Sequence, residues 1–131
     1  MKKAFKVLTL LFITSVLIIY LFIFSNIVFP WQKDEAIKTT IEWSGLTELP
    51  VQKENIKITK KGSVFTRQYI LEFTASTKEI ENWIKKNKKL NKIQPRERNT
   101  TKTYVISGEK GATGGTIKIK DNLVIINMSW S

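Results

Sequence analysis

The chain has no cysteine and no histidine among its 131 residues. Without cysteine, no disulfide can hold a fold together in an oxidising compartment and no N-terminal thiol can carry a lipid, so packing must suffice. The two absences together remove Ser-His triads, cysteine nucleophiles, zinc sites of the usual His/Cys kind and proton transfer through imidazole. An enzyme would have to use a Ser-Lys pair or paired carboxylates. Serines and lysines are plentiful but no motif sets one beside the other, and the carboxylates (Glu72, Glu79, Glu81, Glu109) are scattered. The expectation is a protein that is not an enzyme and needs no metal or cofactor. The sharpest enzyme alternative is a membrane-tethered Ser-Lys hydrolase.

Charge is also missing, from residues 7–29. Lys2, Lys3 and Lys6 precede this apolar run, and Pro30-Trp31 followed by Lys33-Asp34-Glu35 closes it. At helical rise the run reaches roughly 35 Å, enough for the hydrocarbon core of a bilayer with some tilt. A cleaved secretory signal competes for the same residues. Such signals carry an apolar stretch of only about 7–15 residues before a small-residue cut site. Here the run is longer, and its far end, Phe24-Ser25-Asn26-Ile27-Val28-Phe29, lacks that pattern. Residues 1–30 therefore read as a cytoplasmic tip plus an uncleaved transmembrane anchor, held in the lipid bilayer through residues 7–29. Three lysines crowd its N-terminal side, whereas only Lys33 and Lys38 lie close on the other. By the positive-inside rule the N-terminus stays in the cytoplasm, and residues 31–131 form an extracytoplasmic domain at the cell membrane.

That domain, about a hundred residues long, is large enough for one self-sufficient core. Residues 34–43 read as a short helix with Asp34 as its cap, Ile37 and Ile41 on one face, and Gly45 just past its end. Residues 55–60 alternate, Lys61-Gly62-Ser63 reads as a turn, and residues 64–74 form the longest strand, with Phe65, Tyr69, Leu71 and Phe73 on one face beside Arg67. Ser76 with Glu79 is a capping-box pattern, opening a helix whose apolar side is Ile80, Trp83, Ile84 and Leu90. A loop over 91–103 follows, then strands at 102–107, 115–120 and 123–130, the last two joined by Asp121-Asn122, residues that tolerate positive φ. The expected core is Tyr69, Leu71, Phe73, Ile80, Trp83, Ile84, Ile117, Ile119, Ile126 and Trp130. The fold class is α+β: an N-terminal transmembrane helix, then an antiparallel sheet of about five strands with two helices, in the order α-β-β-α-β-β-β.

Charge is unevenly spread. The net +11 includes the three anchor lysines. Residues 31–84 hold eight basic and eight acidic side chains. Residues 85–102 hold Lys85, Lys86, Lys88, Lys89, Lys92, Arg96, Arg98 and Lys102 against Glu97 alone, a net of +7. Lys85, Lys88, Lys89 and Lys92 recur at i, i+3, i+4 and i+7, one stripe if the helix persists that far. Part of this excess has a local explanation. Cations at a helix C-terminus complement the macrodipole, Glu81 and Lys85 make a favourable i,i+4 pair, and an AT-rich coding sequence yields lysine anyway. The functional reading is an anionic partner, since such density raises local potential and self-repulsion. Beside a bilayer, the candidates are anionic lipid, a surface polymer or an acidic protein. Nucleic acid is disfavoured, because no aromatic interleaves the cluster for base stacking.

The segment 108–115, Gly-Glu-Lys-Gly-Ala-Thr-Gly-Gly, lacks P-loop spacing and joins two strands. It reads as a bulged connector, with an anion nest as the alternative.

Leu49-Pro50, then Asn55-Ile56, then Arg67 with Leu71 and Phe73, then a helix carrying Trp83 make residues 49–90 similar to a pattern in uncharacterised bacterial proteins with a single N-terminal membrane segment. Val51-Gln52-Lys53-Glu54 here replaces the small residues usual after the proline. The resemblance implies no known activity, catalytic residue or cofactor. The sequence thus describes a membrane-anchored binding or accessory protein of the cell envelope. An immunity or inhibitor protein that neutralises an acidic toxin or enzyme at the membrane is the rival.

Overall fold

The computed structural model describes residues 1–131. Its first element is the helix α1, Lys2–Phe24, with no buried residue. It starts before the apolar run and stops before the run ends. Ser25 is extended (φ −71, ψ 142) and so is Phe29 (φ −68, ψ 153). Pro30 explains the latter, because its ring excludes the α conformation from the residue before it. The uncharged part of α1, residues 7–24, still rises about 27 Å, close to the thickness of a hydrocarbon core. The hydroxyls of Thr9, Thr14 and Ser15 donate to carbonyls four residues back at 2.8–2.9 Å, so the aliphatic hydroxyls of this stretch are satisfied within the helix. α1 is long and apolar enough to cross a membrane.

After a 3-10 turn at Pro30–Gln32 comes α2, Lys33–Ser44. Gln32, not Asp34, holds the cap position and makes no side-chain cap bond; Asp34 and Glu35 lie in the first turn, where they face the positive end of the helix dipole. Gly45 ends the helix at φ 66 as its position predicts, and its N–H returns to the Glu42 carbonyl at 3.2 Å. Ala36, Thr40 and Ser44 are buried, one small residue per turn, letting α2 lie close on the sheet.

The strands are β1 Glu54–Gly62, β2 Arg67–Thr74, β3 Arg96–Arg98, β4 Thr101–Ser107, β5 Gly114–Lys120 and β6 Leu123–Trp130, with α3, Thr77–Lys86, between β2 and β3. They form one antiparallel sheet of six strands in the order β1-β2-β6-β5-β4-β3. The last strand is therefore central, beside β2. The sixth strand is β3, inside the segment expected as a loop. Its three residues, Arg-Glu-Arg, are all exposed and carry no apolar alternation, so nothing in the pattern marks them. A two-residue turn at Asn99 (φ 46) and Thr100 (φ 64) returns β3 onto β4.

Both domain helices cover the same face. Leu71, Phe73, Tyr104, Ile106, Ile117, Ile119, Val124, Ile126 and Met128 point inward from the strands and pack against Ile80, Trp83, Leu90, Leu46 and Leu49. Trp83 meets Phe73 edge-on at 6.0 Å and donates its indole N–H to the Glu48 carbonyl at 2.6 Å, which ties the 46–53 loop to α3. The Ser76 hydroxyl accepts from the Glu79 N–H at 3.2 Å, the cap that the sequence implies.

Three expected core or strand positions move outward. β2 begins at Arg67, leaving Val64 and Phe65 in the tip of the β1–β2 hairpin, with Phe65 82% exposed. Trp130 is 41% exposed because it pairs with Arg67 at the very end of the sheet.

Candidate anion-binding surfaces

The eight basic residues at 85–102 do not form one patch. α3 stops at Lys86, and Asn87 takes an extended conformation (φ −81, ψ 105). Its buried amide donates to the Trp83 carbonyl at 2.8 Å and accepts from the backbone and hydroxyl of Thr47, both at 3.1 Å. That bonding turns the chain out of the helix into a 3-10 turn at Leu90–Lys92, which buries Leu90. Lys85, Lys88, Lys89 and Lys92 consequently share no helical stripe.

Each group has a different setting. Lys85, Lys86, Lys88 and Lys92 are exposed at the helix end and the following turn. Lys89 is half-buried; its ammonium donates to the Ser107 carbonyl at 2.8 Å and meets Glu109 at 3.1 Å. Lys102 meets Glu97 at 3.6 Å on the helix-covered side. Arg96 and Arg98 stand opposite Thr103 and Thr101, so their side chains leave from the other face of the sheet.

That other face carries no helix. Across its middle run Thr59, Ile70, Asn127, Thr116 and Val105, side by side in register. Gln68 donates to Asn127 at 2.8 Å on the same face. Around them stand Lys57 and Lys61 of β1, Lys118 and Lys120 of β5, and Arg96 and Arg98 of β3, against Glu72 and Glu54. Sequence reasoning missed this surface because its lysines are far apart along the chain, and two sit in the charge-balanced stretch. The one available signal was the alternation Ile117-Lys118-Ile119-Lys120.

The 108–115 segment is a packed connector with positive φ at Lys110, Gly111 and Gly114. The N–H groups of Glu109, Ala112 and Thr113 donate to the carbonyls of Trp43, Glu109 and Ser129, so they are not free to cradle an anion. The loop's own carboxylate, Glu109, lies against Gly45 at the end of α2 and pairs with Lys89.

One lysine is buried: Lys60, 6% exposed, on the helix-covered side of β1. Its ammonium donates to the Phe22 carbonyl of α1 at 3.3 Å. Burial lowers its pKa, and the charge of Arg67 lowers it further. A Ser-Lys dyad needs a serine here, but the adjoining cavity is lined by Val28, Gln32, Glu35, Ala36, Thr39, Arg67 and Tyr69. No cluster of three or more His, Cys, Asp or Glu side chains is placed to hold a metal ion. No protein-family model, curated protein or solved structure matches the chain.

Proposed function

We propose that this chain is a single-span, outward-facing envelope protein whose domain acts as a non-enzymatic binding or accessory module for an extended anionic polymer. The observation that carries the reading is the uncovered sheet face, where six cations stand against two carboxylates. Six strands at about 4.8 Å spacing make this face roughly 24 Å wide, suited to an extended ligand laid across it rather than to a small molecule in a pocket. Half-buried Thr and Asn side chains between the cations, Thr59, Thr116 and Asn127, supply neutral donors for polymer oxygens. The exposed Lys85, Lys86, Lys88 and Lys92 add to the positive field that draws such a polymer in.

The test is binding of poly(glycerol phosphate) to the full chain in nanodiscs of neutral lipid. Wild type should bind and weaken with added salt, since contacts at an exposed surface are screened over about 8–10 Å. Arg96→Glu with Lys118→Glu should weaken binding while the fold is retained. Equal binding by wild type and this double variant would remove the sheet face from the function.

A further inference from the structure

The end of the sheet nearest α1 has an unusual surface. Lys60 bonds to Phe22 in the last turns of α1, and the cavity beside it is lined by Val28 and Gln32, which follow that helix directly. Phe29 stacks on Trp31 and meets Phe22 at a tilt, with ring centroids 4.7 and 5.6 Å apart, holding the segment after α1 against its end. The β1–β2 hairpin tip and the end of β6 lie at this same end of the sheet, because Gly62 pairs with Arg67 and Arg67 with Trp130. Of the large apolar side chains left exposed between α1 and the C-terminus, Ile27, Trp31, Val64, Phe65 and Trp130 sit here, and Val51, Val105 and Leu123 elsewhere.

Two cations face the cavity, Lys60 and Arg67, and neither meets a carboxylate within ion-pair distance, since the ion pairs of the chain are Lys89–Glu109 and Lys102–Glu97. A capping bond to α1 accounts for Lys60 but not for a second cation beside it. Unpaired like charges, one of them buried, are costly unless an anion joins them. The cavity measures about 220 Å³, room for a phosphate group, given about 30 Å³ per water molecule in the liquid. Its height is also informative. With Lys6 at the inner boundary, Phe22 lies about 24 Å further along the helix, about 6 Å inside the outer edge of a roughly 30 Å hydrocarbon core and within a side chain's reach of the headgroups. Aromatic side chains favour that level, and lysine and arginine reach phosphates there.

We propose that this end of the domain is a lipid-binding surface: Lys60 and Arg67 hold the phosphate of an outer-leaflet anionic phospholipid, and the Val64-Phe65 hairpin tip inserts beside it. The surface fixes the domain against its own membrane and turns the basic sheet face sideways to it. Glu35, an exposed carboxylate on the cavity rim, opposes the anion and limits its affinity.

The inference rests on α1 spanning the bilayer, and the experiment separates the two. Because the chain has no cysteine, single-cysteine variants carry one label each. Ile18→Cys, Phe65→Cys and Val51→Cys, each labelled with an environment-sensitive fluorophore, are placed in nanodiscs of phosphatidylglycerol and phosphatidylcholine. The label at 18 should be quenched by deep nitroxide-bearing lipid. The label at 65 should be quenched by shallow nitroxide-bearing lipid and shielded from aqueous iodide. The label at 51, on an exposed residue far from α1, should be quenched by iodide. A label at 18 untouched by lipid quencher sinks the spanning helix itself. A label at 18 quenched with 65 as open to iodide as 51 overturns only the present inference.

The phosphate site has its own readout, the phosphatidylglycerol retained per chain in native mass spectrometry of the full chain released from the same nanodiscs. Arg67→Gln should lower retention about fivefold, from roughly 1 kcal/mol per basic residue. Glu35→Gln should raise it, a gain that misfolding cannot produce. Retention that survives excess inorganic phosphate supports a lipid source. Displacement by inorganic phosphate, or retention unchanged in both variants, overturns the lipid site.

Discussion

Lys60 on β1 donates to the backbone carbonyl of Phe22 on α1 at 3.3 Å, joining the sheet to a carbonyl in the last turn of the apolar helix. Such carbonyls lack an intrahelical donor, and a cation there also complements the negative end of the helix dipole.

That position sets a pH dependence. Burial, and then Arg67, lower the Lys60 pKa from its ordinary 10.5, while Glu35 of α2 and Tyr69 of β2 line the same cavity. Between the lowered value and 10.5 the unfolded chain binds the proton that the folded chain has released, so stability rises with pH through that window. Tyr104 acts in the opposite sense. Burial raises its phenol above 10.0, outweighing Lys102, so above pH 10.0 the unfolded chain loses its proton first and stability falls. Urea midpoints of the full chain in detergent should rise towards alkaline pH and then decline. Lys60→Met should remove the rise and Tyr104→Phe the decline. Unchanged slopes in both variants would contradict this account.

Trp83 is 3% exposed and joins three parts of the domain: its ring meets Phe73, its indole bonds to Glu48, and its carbonyl receives Asn87. Trp83→Ala should cost about 3–5 kcal/mol of stability in urea denaturation. Trp83→Phe keeps most of the packing but leaves the Glu48 carbonyl without its donor, for a loss of about 1–3 kcal/mol. A cost below 1 kcal/mol for the alanine variant would place the ring outside the core.

Gly45 tests the contact between α2 and the β4–β5 connector. Its φ of 66 suits glycine, and a Cβ there would meet the Glu109 carboxylate. Gly45→Ala should destabilise the domain by about 1–3 kcal/mol. Gly45→Ala with Glu109→Ala should recover the steric part, leaving the backbone part. Full additivity of the two substitutions would show that the carboxylate moves aside freely.

Much of this fold was legible in the sequence where a local rule and a tertiary need agree. Ser76 and Glu79 announce the start of α3, Gly45 the end of α2, and Asp121, with φ 52, the tight turn into β6. The misses share a different cause. β3 is three charged residues held only by pairing to β4, so it has no pattern of its own. The end of α3 is set by Asn87 reaching Thr47, forty positions away, which no local propensity reports. Phe65 has strand character but lies inside the turn closed by the Ser63 N–H to the Thr66 carbonyl. For the candidate site, clustering along the chain was a poor guide: pairing placed Arg96 and Lys118 on either side of Thr103, while Lys89 and Lys102 entered ion pairs. Charge gathered by a sheet becomes visible only once strand order is known.

The basic residues at 85–102 should therefore separate by experiment. Lys85, Lys86, Lys88 and Lys92 point to water, so Lys85→Glu with Lys88→Glu should lower the urea midpoint only slightly, through the helix dipole and the Glu81 neighbour of Lys85. Lys89→Glu should lower it, because a carboxylate would then face both Glu109 and the Ser107 carbonyl. The Lys89–Glu109 pair itself is partly exposed, so a double-mutant cycle with alanine at both positions should give a coupling below about 1 kcal/mol. In poly(glycerol phosphate) binding, the Lys85/Lys88 reversal should slow association with a smaller effect on dissociation, because distant charges steer the encounter more than they hold the complex. Arg96→Glu with Lys118→Glu should speed dissociation, since those side chains would touch the polymer. Surface plasmon resonance on captured nanodiscs reads both rates. If the Lys85/Lys88 reversal speeds dissociation more than the Arg96/Lys118 reversal, the polymer lies on the helix end and not on the sheet.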